Sequence, residues 1–295
     1  MNKILLIRTL KHKHRLKNSV GLLRKQGSFV CPNGFTLNFQ RSNQKDIKKL
    51  YEFCLTYGVK FLEQKGYWNY GDNIITTPKG IRFKISMFDP LIFSETFLSD
   101  IHFSDFDLNN KIVIQAGGFT GDTTLYYASR GAKVYSFEPD LNSYNIALEN
   151  IKLNPELSKN IIMKNYAIGN DEKIDFPVDP NGSGSSSAHY IEGKKTIKVK
   201  SMTVLSVLKE FSIKEPFLLD LDIKGKEFEV IKQISISNFK MVRIEYSTSI
   251  GNTIIGTREE ILKRLEECGF EKIRIFKHNE LVYDLVDHGT IEAIK

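Results

Sequence analysis

The residues best suited to chemistry begin with one glycine loop. Gln115-Ala-Gly-Gly-Phe-Thr-Gly121 follows a short apolar run and precedes a helical pattern. Gly117 and Gly121 keep a G-x-x-x-G spacing, and glycine lets a backbone turn tightly and come close to a ligand. A helix starting there offers N–H groups to a polar ligand end. Glu138, in Phe137-Glu-Pro139, lies 21 residues after Gly117 at the end of the next apolar run. An acid so placed, at a strand tip, can accept hydrogen bonds from both hydroxyls of a ribose. Its bland alternative is an ordinary exposed strand end. Phe119 breaks the G-x-G-x-x-G of a dinucleotide site, and no G-x-x-x-x-G-K-[ST] phosphate loop occurs. An adenosyl ligand without a pyrophosphate fits better than NAD or ATP.

A second group of acids lies further on. Asp222 ends an apolar run, where a carboxylate can take a proton from a hydroxyl or simply orient a ligand. Asp220 alternates onto the same strand face. Asp220, Asp222 and Glu245 together form a candidate set for a divalent cation, since hard cations take oxygen ligands. Many strand ends carry acids without metal, so a metal-free site is preferred. His189, beside the flexible loop Asn181-Gly-Ser-Gly-Ser-Ser-Ser187, is either a lid base or an exposed histidine with no role. Tyr67, Trp68 and Tyr70 either stack on a sugar face or pack a local core.

The elements that must position these residues follow from periodicity. Before residue 110 the pattern is mixed: a helix over 46–60, a strand pair over 75–88 around Pro78-Lys-Gly80, and a helical lead-in over 89–100. From residue 111 strands and helices alternate. Strands are expected at 111–116, 133–137, 161–165, 217–222, 241–246, 272–276, 281–283 and 291–294. Helices are expected at 122–129, 141–153, 204–211, 227–234 and 258–268. Such alternation implies parallel βαβ units with right-handed crossovers, and a ligand outside the carboxyl ends of the strands. The expected division is a basic arm with an α+β segment at 1–110 and an α/β domain at 111–295.

Composition narrows the function classes. No apolar run nears the roughly 20 residues of a membrane span. The apolar stretch Ile4-Leu-Leu-Ile7 is short for a secretory signal, so a cytoplasmic protein is expected. Cys31, Cys54 and Cys268 are too scattered for a disulfide framework or a metal pair, and His12 and His14 have no acid or cysteine near them. Residues 1–45 hold ten Lys or Arg and no acid, which leaves 32 basic against 35 acidic residues, a charge of −3, for the rest. That arm either meets an anionic partner (nucleic acid, a membrane surface or a phosphorylated substrate) or is a solvated surface. Leu5, Leu6, Leu10, Leu16 and Val20 could line a helix that docks on a membrane or on the protein's own core.

Several blocks together resemble the FkbM family of methyltransferases. They are Val113-Ile-Gln-Ala-Gly-Gly-Phe-Thr-Gly-Asp-Thr-Thr124, Gly131-Ala-Lys-Val-Tyr-Ser-Phe-Glu-Pro139, Asn150-Ile-Lys-Leu-Asn154, Asn165-Tyr-Ala-Ile-Gly169 and Leu219-Asp-Leu-Asp-Ile-Lys-Gly-Lys-Glu-Phe-Glu-Val-Ile231, with Ser94-Glu-Thr-Phe97 before them. The resemblance covers roughly residues 85–250. It implies a Rossmann-like class I methyltransferase fold with a seven-stranded, mostly parallel sheet. It also implies S-adenosylmethionine as cofactor and O-methylation of a small molecule or saccharide. Carried over by position, Gly117, Gly121 and Glu138 would hold the methionine and ribose parts. Tyr166 and Ala167 would border the adenine, and Asp222 would face the methyl donor or the acceptor. The remaining N-terminal segment would supply acceptor or oligomer contacts.

The chain departs from the family pattern twice. Gln115 stands where the family has an Asp that helps position the cofactor's amino group; it can accept a hydrogen bond but brings no charge. Lys224 stands where the family has Glu, a local change of +2 in charge. Two rival functions follow. The basic arm suggests a nucleic-acid methyltransferase, although no N-P-P-[YF] type motif is present. The two departures suggest a binding module that has kept the fold and lost transfer.

Overall fold

The computed structural model describes residues 27–30, 36–39, 69–71, 74–84, 96–97, 106–177, 195–277, 280–281 and 287–295. The helix expected at 46–60, the loop with His189, Tyr67, Trp68, and most of the lead-in at 89–100 lie outside these residues. The chain forms two units, Met1–Phe106 and Asp107–Lys295.

In the first unit, Gly27–Val30 pairs antiparallel with Thr36–Phe39. A second sheet joins Asn69–Gly71, Ile74–Thr76 and Arg82–Lys84, all antiparallel. The hairpin expected around Pro78-Lys79-Gly80 forms there, with Ile75 opposite Phe83. Gly80 takes φ 85 and its N–H reaches Thr77 O at 2.9 Å, while Thr77 Oγ1 accepts the Ile81 N–H at 3.1 Å. Ile75, Ile81 and Phe83 are buried, and the Phe83 ring lies 5.1 Å from that of Phe97.

The second unit is a doubly wound sheet. We number its main strands β1 (Ile112–Ala116), β2 (Lys133–Phe137), β3 (Ile161–Lys164), β4 (Leu218–Leu221), β5 (Met241–Ser247), β6 (Lys272–Lys277) and β7 (His288–Ile294). Their order is β3-β2-β1-β4-β5-β7-β6, with the two-residue strand Glu280–Leu281 beyond β6 at the edge. The first five are parallel; β7 runs antiparallel between β5 and β6. Helices α1 (Asp122–Ser129), α2 (Leu141–Lys152), α3 (Pro155–Ser158), α4 (Val204–Glu210), α5 (Glu227–Val230) and α6 (Arg258–Glu267) fall between strands. The central strands are covered on both faces, so they read as continuous apolar runs. Val113, Ile114, Leu218, Leu219 and Leu221 are wholly buried, each contributing about 1.5–3 kcal/mol on burial.

Local chemistry fixes the helix ends. Asp140 caps α2 by accepting the Ser143 N–H at 2.7 Å, and Thr257 with Glu260 forms a capping box on α6. The helix expected over 227–234 is shorter. It stops after α5, because Gln233 turns extended and its side chain bonds Gly169 O and Val204 N, each at 2.8 Å. Periodicity also missed a small three-stranded sheet of Ala167–Ile168, Glu172–Pro177 and Thr196–Met202, and a hairpin of Ser249–Ile250 with Thr253–Ile254. No helix among the described residues is long and apolar enough to cross a membrane.

Chain direction reverses at β1: the chain winds outward through β2 and β3, then returns to β4 on the other side. A crevice at the carboxyl ends of β1 and β4 is the place where such sheets take ligands.

Candidate functional site

The glycine loop leaves β1 and is held from three sides. The N–H groups of Gly117 and Gly118 both donate to Phe137 O, at 2.9 and 3.0 Å. The next N–H, that of Phe119, donates to Glu138 Oε2 at 2.8 Å. Asn150, from α2, donates through Nδ2 to Thr120 O at 2.8 Å. Gly117 sits at φ 90, and an added Cβ would lie 2.0 Å from the backbone oxygen of Asp222. That packing joins the loop to the end of β4. Gly121 takes φ 82 as the N-cap of α1 and packs on Ala147.

Glu138 lies at the tip of β2 and is buried. Besides Phe119, it accepts the Asp140 N–H through Oε1 at 2.8 Å. Both bonds favour the charged form, but burial outweighs them and pushes the carboxyl up to about 7. Asn165 steadies the tip by donating to Glu138 O and Pro139 O at 2.8 and 3.0 Å. Tyr166 follows and stacks on Phe137 with ring centroids 6.5 Å apart. The Lys200 ammonium lies 4.4 Å from the Tyr166 ring centre. Ala167 is buried and starts the small sheet.

Gln115 lies on β1. It is buried under the loop, where its Oε1 accepts from Thr124 Oγ1 at 2.7 Å and Ser136 Oγ at 3.0 Å. Its Nε2 reaches Gly117 O at 3.4 Å. Gln115 therefore supports the loop from below. The neutral amide is satisfied there by two hydroxyls and one carbonyl.

Asp220, Asp222 and Glu245, the less favoured alternative of a divalent-cation set, are each engaged with basic side chains. Asp220 is buried, and its carboxylate accepts from Tyr127 Oη at 2.9 Å and Arg243 Nη1 at 2.8 Å. Asp222 and Glu245 instead share Lys224, whose Nζ lies 3.3 and 3.5 Å from their oxygens. Asp222's charge, the largest influence, outweighs burial and holds the Lys224 ammonium well above its usual range. Among the described residues no group of three or more His, Cys, Asp or Glu is arranged to hold a metal ion.

Sequence reasoning gave no role to Glu227, which is buried and accepts the N–H groups of Ile223 at 2.9 Å and Gly225 at 2.6 Å. This clamp sets the loop after β4, where Lys224 has φ 50 and Gly225 φ 104. Burial is the main cause raising the Glu227 carboxyl to about 7. The Lys-Gly-Lys-Glu spacing carried the signal, because an acid two residues after a glycine can fold back onto the turn. Arg243 was missed as well; a lone Arg inside an apolar strand marks a buried ion pair.

The arrangement is a crevice with a buried acid at one side, a tightly packed glycine loop at its base, and a carboxylate–ammonium group at the end of β4. The Methyltransferase FkbM domain model matches residues 113–272, more than half of the chain. Among solved structures, precorrin-6y C5,15-methyltransferase from Geobacter metallireducens is 9% identical, covering 68% of this chain and 90% of that one, with a TM-score of 0.39. The methyltransferase domain of METTL16 is 11% identical, covering 94% and 89%, with a TM-score of 0.43. Magnesium protoporphyrin IX methyltransferase from Synechocystis PCC 6803, with bound SAH, is 11% identical, covering 65% and 77%, with a TM-score of 0.37. No curated protein matches the sequence.

Proposed function

The chain belongs to the FkbM methyltransferase family, and on that premise we propose that it moves a methyl group from S-adenosylmethionine to a hydroxyl oxygen of a small molecule or saccharide. The observation that carries this reading is Glu138. Its carboxylate is buried at the tip of β2 and bonded to the loop N–H of Phe119. Each of its oxygens has one protein donor and a lone pair left for a ribose hydroxyl. Gly117 and Gly121 allow the loop to pack closely on Asp222 and Ala147, and Gln115 supports it from below. Tyr166 and Ala167 border the adenine. These residues fit the cofactor.

The cofactor supplies an electrophilic methyl group on a sulfonium. The protein holds the acceptor oxygen in line with it, a proximity effect. Asp222 would take the acceptor's hydroxyl proton. A cytoplasmic location belongs to the same proposal, as does contact between the basic arm at 1–45 and an anionic partner.

Calorimetric titration with S-adenosylmethionine and with its demethylated product tests the reading, with Glu138→Ala as control. Saturable binding that disappears in the variant is expected. If the intact protein binds neither compound, the chain is a module that has kept the fold without the reaction.

A further inference from the structure

Asp222 and Glu245 stand at the carboxyl ends of the neighbouring strands β4 and β5, beside the glycine loop. Lys224 Nζ lies almost evenly between them, 3.3 Å from Asp222 Oδ1 and 3.5 Å from Glu245 Oε1. Two hard oxygen donors around one positive charge is the arrangement of a counter-cation site. The backbone is shaped to deliver that charge. Lys224 holds a left-handed φ of 50, a costly conformation for a side-chain-bearing residue, and the Glu227 clamp on Ile223 and Gly225 maintains it.

The surrounding charges close off alternatives. Asp220, the remaining acid of the cluster, is bound by Arg243 and Tyr127 and buried away from the pair. Arg243 is itself buried; its Nη2 lies 3.6 Å from Glu245 Oε2, and its Nε and Nη2 make no hydrogen bond. Glu245 therefore faces a fixed cation from inside the sheet and Lys224 from outside. A divalent ion entering here would have to displace the Lys224 ammonium from both carboxylates.

Building on the methyltransferase reading, we infer that Lys224 is the resident cation of the acceptor side of the crevice, occupying the position between Asp222 and Glu245 that a divalent ion would take, so that this site works without one.

Mn²⁺ titration followed by the electron paramagnetic resonance signal of the free ion tests this on the full chain. The wild type should leave this site empty, so that Glu245→Gln changes nothing in its titration. Lys224→Ala should gain about one equivalent of Mn²⁺, since one or two carboxylates with water suffice for a small divalent ion. Adding Glu245→Gln to that variant should remove the gain. Lys224→Gly, which suits the left-handed backbone, guards against a collapsed loop, and thermal melts confirm folding. The inference is overturned if the wild type binds an equivalent that Glu245→Gln abolishes, or if both folded Lys224 variants gain none. Absence of S-adenosylmethionine binding in the wild type would instead sink the methyltransferase reading and leave the Mn²⁺ result standing on its own.

Discussion

In the proposed site, Glu138 would both hold the cofactor's ribose and respond to pH. Its carboxyl sits at about 7 because burial outweighs two backbone donors. A ribose hydroxyl donates best to the ionised form, so cofactor affinity should follow deprotonation. Binding at pH 6 should be about tenfold weaker than at pH 8, as one unit below the pKa leaves roughly a tenth of the sites charged. Calorimetry across that range checks this; a flat profile would mean that Glu138 is ionised throughout or does not touch the ligand. Gly117 makes a second argument at this scale. A Cβ there would lie 2.0 Å from backbone oxygen, which no side-chain rotation relieves, at φ 90. Gly80 has a similar φ of 85 but open space. Gly80→Ala should cost only the left-handed backbone strain, about 1–2 kcal/mol, whereas Gly117→Ala adds overpacking of about 1–3 kcal/mol more. Urea melts would compare them, and equal losses would refute the close approach. Gly117, Gly121 and Glu138 were legible because type and spacing fix their positions. The burial of Gln115 was not, because a strand pattern alone does not say which polar residue is covered by the helix above it.

At the scale of elements, the loop after β4 depends on Glu227. Burial raises its carboxyl from the ordinary glutamate value to about 7. Its contribution to stability is therefore complete below the ordinary value and is lost as pH rises through about 7. Glu227→Gln stays neutral but can accept only one of the two N–H groups. The variant should be less stable than the wild type at pH 5 by about 1–3 kcal/mol. By pH 8 the difference should shrink or reverse by an amount on the order of 2–3 kcal/mol, the linkage limit of such a shift. A pH-independent difference in melting would reject this. The sheet carries a related device: Ser136, Gln115, Asp220, Arg243, Glu292 and Arg274 lie in register across six neighbouring strands. Arg243→Met alone leaves Asp220 charged and buried, a loss of about 3–5 kcal/mol. Arg243→Met with Asp220→Leu should recover at least half of that in denaturant melts; no recovery would show that the pair itself, and not its isolated charge, holds the strands. The main strands were legible because buried parallel strands are apolar runs. The small sheet was not: Glu172–Pro177 and Thr196–Met202 pair across an intervening 178–195 segment, so no tight turn announces them, and Asp175, Lys198 and Lys200 dilute their alternation.

At the scale of the whole molecule, charge and the sheet divide between the two units. Met1–Phe106 holds 17 Lys and Arg against 8 Asp and Glu, while Asp107–Lys295 holds 25 against 27. The units are thus about +9 and −2. All seven main strands, and each residue placed around the crevice, belong to the second unit. Its central strands are wholly buried within it, so it has the core of an independent domain. Residues 107–295 expressed alone should therefore fold and bind S-adenosylmethionine within about threefold of the full chain, a difference under 1 kcal/mol. At neutral pH the fragment should pass through a cation exchanger that retains the full chain until salt is raised, because only the first unit carries an excess of positive charge. Aggregation of the fragment, or loss of cofactor binding with its fold intact, would show that residues 1–106 complete the core or the site. Retained binding with the exchanger behaviour reversed would place the basic character in the wrong unit and remove the case for an anionic partner at the N-terminal arm.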